Sequence, residues 1–237
     1  MPPDPTDLIR IADIKIPLVG FYDAPFLSAF EPLVEPGQNS HGCVFAYFKK
    51  WLKGQTLHLS RQSYGCRGAG RHLCGVDQMT RENMVKFLVD EEGLKASHDL
   101  MNRWLDASRP YRLEHDHLFI GPMREEAYEY LKSVTFFVNP DQLALLMLGA
   151  QYYSAPEDQS PILARFGSGC MQMVTLFDDL NLPQAVIAAT DIAMRSYLSP
   201  DILAFTVTKS MFERLCGLDE QSFLYKPFWK RLQEARE

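Results

Sequence analysis

Two parts of the chain follow the same pattern, and this repeat constrains the fold more than any other feature of the sequence. The stretch VGFYDAP at 19–25 resembles VTFFVNP at 134–140, and LSRQSYGC at 59–66 resembles LARFGSGC at 163–170. In each copy an aromatic strand is followed by a proline, a helix, a second strand and a glycine–cysteine turn. This order predicts two related strand–helix–strand halves, at about 15–75 and 130–180.

The alternation of strands with helices predicts the α/β class with a mixed sheet, and α+β is the alternative. Such units normally join their strands by right-handed crossovers, and open sheets bind ligands at the carboxyl ends of strands. We therefore expect the two glycine–cysteine turns at equivalent strand ends, flanking one cleft. No linker rich in glycine, serine or proline divides the chain, which favours a single domain over 1–237.

Several helices are predicted from their end signals and apolar spacing. TRENMVKFLVDEEG at 80–93 begins with a threonine and ends with a glycine, and with SHDLMNRWLDAS at 97–108 it predicts a helical insertion over about 80–108. Further helices are predicted at 124–133, 140–153 and 170–180, and a helical tail over about 210–237, interrupted by Pro227. ILARFG at 162–167 is predicted as a strand.

Composition narrows the classes of function. The net charge is −6 and the basic residues are scattered, which argues against a nucleic-acid partner. The sequence contains no apolar run of about 18 residues, so no membrane partner is expected. Five cysteines without small-scaffold spacing favour a reducing compartment, and the N-terminal stretch MPPDPTDLIRIADIKIPL lacks signal-peptide features. A soluble cytoplasmic protein is the expectation.

The turn GCRGAG at 65–70 follows a predicted strand and precedes a helical stretch. Glycines at such a turn permit positive φ angles and leave backbone amides directed at an anion. One interpretation is an anion-binding turn or an activated thiol, with Cys66 as the candidate nucleophile and Arg67, Arg71 or His72 assisting. The other is a tight turn whose small residues let strand and helix pack.

The cysteines also permit a metal site. Thiolates bind zinc and iron–sulfur clusters, and Cys43, Cys66 and Cys170 could converge through folding to hold a metal ion or a cluster with one open iron. No CxxC pair supports zinc, and single cysteines are more often small core residues. His115 and His117 alternate as strand residues on one face do, which is typical of a polar strand entry or of part of a metal site.

Asp191 and Arg195 are four residues apart. On a helix this spacing makes an ordinary ion pair. Alternatively, Asp191 orients Arg195 toward a carboxylate or phosphate of a ligand.

The ordered set IPLVGFY, GCVFAYFKKWLKG, YGCRGAG, VTFFVNPDQLALLMLGAQY, FGSGC and TDIAMRSYLSPDILAFTV resembles the uncharacterised prokaryotic family called domain of unknown function 169, over about 15–215. The resemblance implies a soluble bacterial or archaeal protein, and the family has no established activity. It marks Cys43, Cys66 with its glycines, Cys170 and the pair Asp191 and Arg195 as recurring features. The CRGAG turn departs from the expected Cys-x-Gly-Gly or Cys-x-Gly-Ala, and Cys74 and Cys216 match no family feature.

Three functions follow from these observations. The first is a binding protein for a small anionic ligand or cofactor of unknown identity. The second is a cysteine-dependent enzyme or redox protein that uses Cys66 as nucleophile or cluster ligand, and the third is a regulatory or structural homo-oligomer. The sequence leaves open whether the chain is an enzyme. The residues predicted to bind the ligand are Gly65, Cys66, Arg67, Gly68, Gly70, Gly169, Cys170, Asp191 and Arg195.

Overall fold

The computed structural model describes residues 2–36, 42–188 and 192–236, and within these ranges the strands form one eight-stranded mixed sheet. The strands are β1 (Val19–Asp23), β2 (Leu33–Val34), β3 (Thr56–Ser60), β4 (His117–Pro122), β5 (Leu131–Val138), β6 (Ile162–Leu163), β7 (Ala185–Ala188) and β8 (Leu203–Thr208). Their order across the sheet is β2-β3-β4-β1-β5-β8-β7-β6. The α/β prediction with a mixed sheet is confirmed.

The strand order is symmetrical about the central antiparallel pair β1–β5. At both edges a two-residue strand pairs in parallel with its neighbour, β2 with β3 and β6 with β7, and the other pairs are antiparallel. The two halves are β1 to β4 and β5 to β8. In the first half β4 lies between β1 and β3, and in the second half β8 lies between β5 and β7. The expected strand–helix–strand units are therefore split by an inserted strand, and the origin of the two halves by duplication stays a prediction.

Helices cover both faces of the sheet. They are α1 (Thr6–Ile11), α2 (Phe48–Trp51), α3 (Arg67–Cys74), α4 (Arg81–Lys86), α5 (His98–Ala107), α6 (Pro140–Gln151), α7 (Ile192–Arg195), α8 (Lys209–Cys216) and α9 (Pro227–Arg236). Side chains alternate between the faces, as the strand period requires. Phe136 joins the core under α6 and α8, whereas Phe137 joins the core under α2 and α3.

We call the face of the sheet that α2 and α3 cover the second face. Two 3-10 helices complete it: Val44–Tyr47, which leads into α2, and Gly169–Met173. The second of these crosses the sheet and contacts β5, β7, α3 and the first 3-10 helix. The buried Ser133 hydroxyl donates to the Met173 carbonyl and fixes this helix to β5. The second face is therefore the place where distant parts of the chain meet.

Local differences from the sequence predictions have identifiable causes. The helix predicted over 124–133 is a 3-10 helix at Glu125–Tyr130 followed by β5, because Leu131 to Ser133 pair with β1 and β8 in the sheet. The strand predicted at 162–167 is limited to the two residues of β6, and the helix predicted over 170–180 is limited to the 3-10 helix. Pro227 begins α9, a position that proline tolerates, and does not interrupt a longer helix.

Helices α4 and α5 lie within the range of the predicted helical insertion. In the sequence these helices lie between α3 and β4. α4 continues through a π-helical stretch, Phe87–Glu91, and packs against α5. Thr80 and Ser97 cap the two helices by accepting the backbone N–H groups of Asn83 and Leu100. No helix in the described ranges has the length and apolar character needed to cross a lipid bilayer.

Candidate functional site

Cys66 and Cys170 meet beside Gly68. A Cβ atom placed on Gly68 would lie 3.8 Å from the Cys170 Sγ, 3.8 Å from the Ser168 Oγ and 3.9 Å from the Cys66 Sγ. The Cys66 Sγ and the Cys170 Sγ are therefore both within van der Waals distance of the same position beside Gly68. Ser168 Oγ and Cys170 Sγ are 3.4 Å apart, within hydrogen-bonding distance.

The two turns do not occupy equivalent strand ends, contrary to the sequence prediction. The turn at Cys66 follows β3, the second strand from one edge, whereas the turn at Cys170 follows β6, the opposite edge strand. The chain of antiparallel pairs between them makes β3 and β6 run in opposite directions. They meet because the 3-10 helix Gly169–Met173 crosses the sheet and packs on α3.

The segment that contains Cys43 contacts both turns. Its Gly42 carbonyl lies 3.4 Å from the position of a Cβ on Gly65, and its Phe45 ring lies 2.9 Å from the position of a Cβ on Gly169. Cys43 lies between these two contacts and packs, partly buried, against the same core as Cys66 and Cys170. The three cysteines that the sequence grouped are thus gathered on one face of the sheet.

Beside Gly68 opens a cavity of about 450 Å³, the α3 pocket. Its walls come from α3, the segment 79–104, the loop 166–168 and the start of α7. Most of the lining is apolar. The apolar side chains are Met79, Met84, Phe87, Leu88, Leu94, Trp104, Phe166, Ile192 and Ala193, and the remaining lining residues are Arg67, Gly68, Arg71, His72, Glu92, Gly167 and Ser168.

Basic side chains of α3 supply polarity to the pocket. Arg67 and Arg71 are one helical turn apart, and Arg71 forms an ion pair with Asp77. Arg67 is exposed and has no ion pair with any residue in the described ranges. Its charge therefore remains available to an anion in the pocket.

His72 is buried in the wall of the pocket, with 6% of its surface exposed. Its Nδ1 atom has no hydrogen-bond partner among the described residues. Burial, with a smaller contribution from the neighbouring Arg71 charge, lowers the pKa of His72 to about 4. The ring is therefore neutral at neutral pH and offers an unpaired nitrogen.

Aromatic rings form another part of the wall. Trp104 packs edge-on against Phe166, with ring centroids 5.2 Å apart, and its indole N–H donates to the Phe166 carbonyl. Trp104 also packs edge-on against His72. The sequence predicted the helix that carries Trp104 and placed Phe166 at the end of a strand, but it did not predict their role, because the two rings meet only when the insertion folds over the loop 166–168.

Of the nine residues predicted to bind a ligand, only Arg67 and Gly68 are among those that line the pocket within the described ranges. Cys66 caps α3, its Sγ accepting the Ala69 N–H at 3.4 Å, and no imidazole is hydrogen-bonded to it in the described structure. Cys170 and Gly169 are buried behind the wall. Among the described residues no general base contacts the predicted nucleophile, and its catalytic role stays a prediction.

The remaining predicted glycines shape the turn. Gly65 has a φ of +76°, which favours glycine, and a Cβ on Gly70 would lie 2.8 Å from the Tyr64 ring. The packing interpretation of GCRGAG therefore holds for these two positions.

The Arg195 guanidinium is engaged by the backbone. It donates to the carbonyls of Ser199, Pro200 and Ile202, and it does not line the α3 pocket. These bonds hold the turn before β8. Asp191, its predicted partner, lies outside the described residues, and the ligand role of the pair stays a prediction.

A second cluster surrounds Asp23, which is fully buried at the end of β1. Among the described residues, Asp23, Glu114 and His115 form the one group of three ligand-type side chains within 4.8 Å of one another. The Asp23 carboxylate accepts the N–H groups of Glu114 and His115 and the Tyr111 hydroxyl, at 2.7 to 2.9 Å. Glu114 is paired with Lys132. These bonds already satisfy the buried charge, so the cluster anchors the segment 111–115.

The alternating histidines serve different partners. His115 Nδ1 lies 3.3 Å from Asp23, whereas His117 Nδ1 lies 2.9 Å from the His58 Nε2 on β3. His58 in turn contacts Glu35 through Nδ1 at 2.8 Å. The pair of imidazoles therefore does not form a joint metal site, in agreement with the interpretation as a polar strand entry.

The family assignment rests on the sequence comparison. The family model for domain of unknown function 169, described as "Uncharacterised ArCR", matches residues 19–217. The chain belongs to this family. The matched region of DUF169 contains the sheet, the three gathered cysteines and the α3 pocket. No curated protein and no solved structure matches the chain significantly.

Proposed function

We propose that this DUF169 protein binds a small anionic ligand with an aromatic or apolar body in the α3 pocket. The observation that carries the proposal is the combination of an apolar, aromatic cavity with the exposed Arg67 charge on α3. Ligand sites in proteins are typically apolar cavities with a few polar groups that fix orientation.

The pocket's polar groups determine the kind of ligand. Arg67 attracts a carboxylate, phosphate or sulfonate, because guanidinium donors match the geometry of these anions. The neutral His72 ring adds no charge to the wall, and Trp104 and Phe166 offer ring surfaces. At about 450 Å³ the cavity is within the range of small-molecule sites.

Two dyes test this proposal. 1-Anilinonaphthalene-8-sulfonate carries a sulfonate on an aromatic body, and N-phenyl-1-naphthylamine has the same rings without the charge. We expect saturable binding of both, measured by dye fluorescence on the folded protein. Arg67→Ala should weaken the sulfonate dye about tenfold, as loss of a charged hydrogen bond predicts, and leave the neutral dye unchanged.

Arg103→Ala is the matched control. Arg103 is exposed on α5 beside Trp104 but is not among the pocket-lining residues. The Arg103→Ala variant removes one arginine charge near the pocket, as Arg67→Ala does. Equal weakening by the two variants, or no discrimination between the dyes in Arg67→Ala, would contradict a charge-specific site in the pocket.

A further inference from the structure

We propose that Cys43, Cys66 and Cys170 are the three protein ligands of an iron–sulfur cluster at the Gly68 wall of the α3 pocket. The cluster would be a second site, which adjoins the anionic-ligand site at the end of the same pocket. The proposal rests on the arrangement of the thiols and on the space beside Gly68.

The first step is the convergence of the sulfurs. Cys66 and Cys170 Sγ approach the same point beside Gly68, and the segment of Cys43 contacts the turns of both. These residues come from three distant parts of the sequence, and the strand order between them does not by itself place them together. Thiolate sets of this kind bind soft and borderline metals.

The second step concerns the kind of centre. A mononuclear zinc site with Zn–S bonds of about 2.3 Å would hold its three sulfurs within about 4 Å of one another. Among the described residues, no three cysteine sulfurs lie within 4.8 Å of each other. A cluster binds each thiolate to a different iron and therefore spaces its ligands more widely, which suits this arrangement better.

The third step concerns space and charge. Gly68 has no side chain between the two sulfurs, and together with Ser168 it lines the pocket. A cluster held by these sulfurs would therefore lie beside Gly68, next to the wall of the pocket. The Ala69 N–H directed at the Cys66 Sγ and the neighbouring Arg67 offset the negative charge of the thiolate-bound cluster.

The other two cysteines provide matched controls. Burial raises the pKa of the Cys74 thiol and of the Cys216 thiol to about 12 in each case. In the absence of a metal, both thiols therefore ionise less readily than an exposed cysteine thiol. Cys216 lies on α8, on the opposite face of the sheet from the proposed site.

The test is anaerobic reconstitution of the full chain with ferrous iron and sulfide, followed by desalting. We expect about four iron atoms and four sulfides per chain and a brown visible absorbance. Cys43→Ser, Cys66→Ser and Cys170→Ser should each lose most of that absorbance, whereas Cys74→Ser and Cys216→Ser should retain it. Cys66→Ser keeps a side-chain oxygen that can cap α3, and circular dichroism of each variant checks that it is folded.

Three outcomes would overturn the proposal: no iron retained by the wild type, equal retention by all five variants, or zinc bound without sulfide by the same three cysteines. Binding of the sulfonate dye to the cluster-free protein is measured separately. Failure to form the cluster with dye binding intact would therefore refute only the cluster. Failure to bind the dye with the cluster formed would refute only the proposed ligand site.

Discussion

Acid should destabilise this protein through His72. The folded structure holds the pKa of His72 at about 4, mainly because the ring is buried, against 6.5 for an exposed histidine. The folded-state pKa is depressed, so between about pH 6.5 and pH 4 the unfolded chain binds a proton that the folded chain does not. Stability is therefore full above about pH 6.5 and is lost progressively as the pH falls toward 4.

The size of the loss follows from the difference between the two pKa values. Each pKa unit corresponds to about 1.4 kcal/mol, so the full effect is about 3 kcal/mol, of which about 2 kcal/mol is lost by pH 5. A typical domain has only about 5–15 kcal/mol of stability, so this loss is measurable.

Urea unfolding of wild type and His72→Phe at several pH values between about 7.5 and 5 measures the effect. Phenylalanine keeps a ring that can pack edge-on against Trp104 and cannot titrate. The free energy of unfolding of the wild type should fall by about 2 kcal/mol more than that of the variant over this range, because all other titrating groups cancel in the difference. His98→Phe, at an exposed histidine of α5, is the control for the loss of an imidazole outside the pocket. Parallel curves for wild type and His72→Phe would refute the reasoning.

Three further predictions concern stability, each measured by urea unfolding at neutral pH. Asp23→Asn should lower the free energy of unfolding by about 2 kcal/mol, because an amide cannot accept three hydrogen bonds as the buried carboxylate does. Asp116→Asn, at an exposed position, should leave it unchanged, and equal effects of the two variants would contradict the anchoring role. Gly169→Ala should lower the free energy of unfolding by about 1–3 kcal/mol, since its Cβ would clash with the Met194 Sδ and lie 2.9 Å from the Phe45 ring. Gly68→Ala meets only ordinary contacts and should not destabilise, so a reversed order would be inconsistent with this packing. Cys66→Ala should lower the free energy of unfolding by about 1 kcal/mol through loss of the α3 cap, and Cys66→Ser should lower it much less. Equal losses in the two variants would show that the cap contributes little.

Much of the fold could be predicted because local sequence determines it. The aromatic strands β1 and β5, the alternating strand β3 and the capped helices α4 and α5 all carry strong periodic or capping signals. The two-residue edge strands β2 and β6 carry none, since their pairing depends on a neighbouring strand that is distant in sequence. The segment 124–133 shows the opposite error: its composition favours a helix, but pairing with β1 and β8 places its last residues in β5.

The site was only partly predictable for the same reason. Arg67 and Gly68 were identified because the GCRGAG turn is a local motif, and both line the pocket. His72, Trp104 and Phe166 become neighbours only through tertiary contacts. The proximity of Cys66 and Cys170 was expected for a reason that the structure does not support, since their turns follow strands of opposite direction at non-equivalent positions of the sheet.

The strand order supplies the better reason for that proximity. Each edge of the sheet has an adjacent parallel pair, β2 with β3 and β6 with β7, which requires a crossover connection. The symmetrical strand order relates the two pairs by a rotation about an axis normal to the sheet, and such a rotation does not exchange its faces.

If both crossovers are right-handed, as nearly all are, they must cover the same face. The first carries Gly42 and Cys43, and the second carries Gly169 and Cys170. Their 3-10 helices indeed contact each other on that face. The equivalent cysteines of the two halves are therefore Cys43 and Cys170, and Cys66 joins them because α3 leaves the end of β3 on the same side.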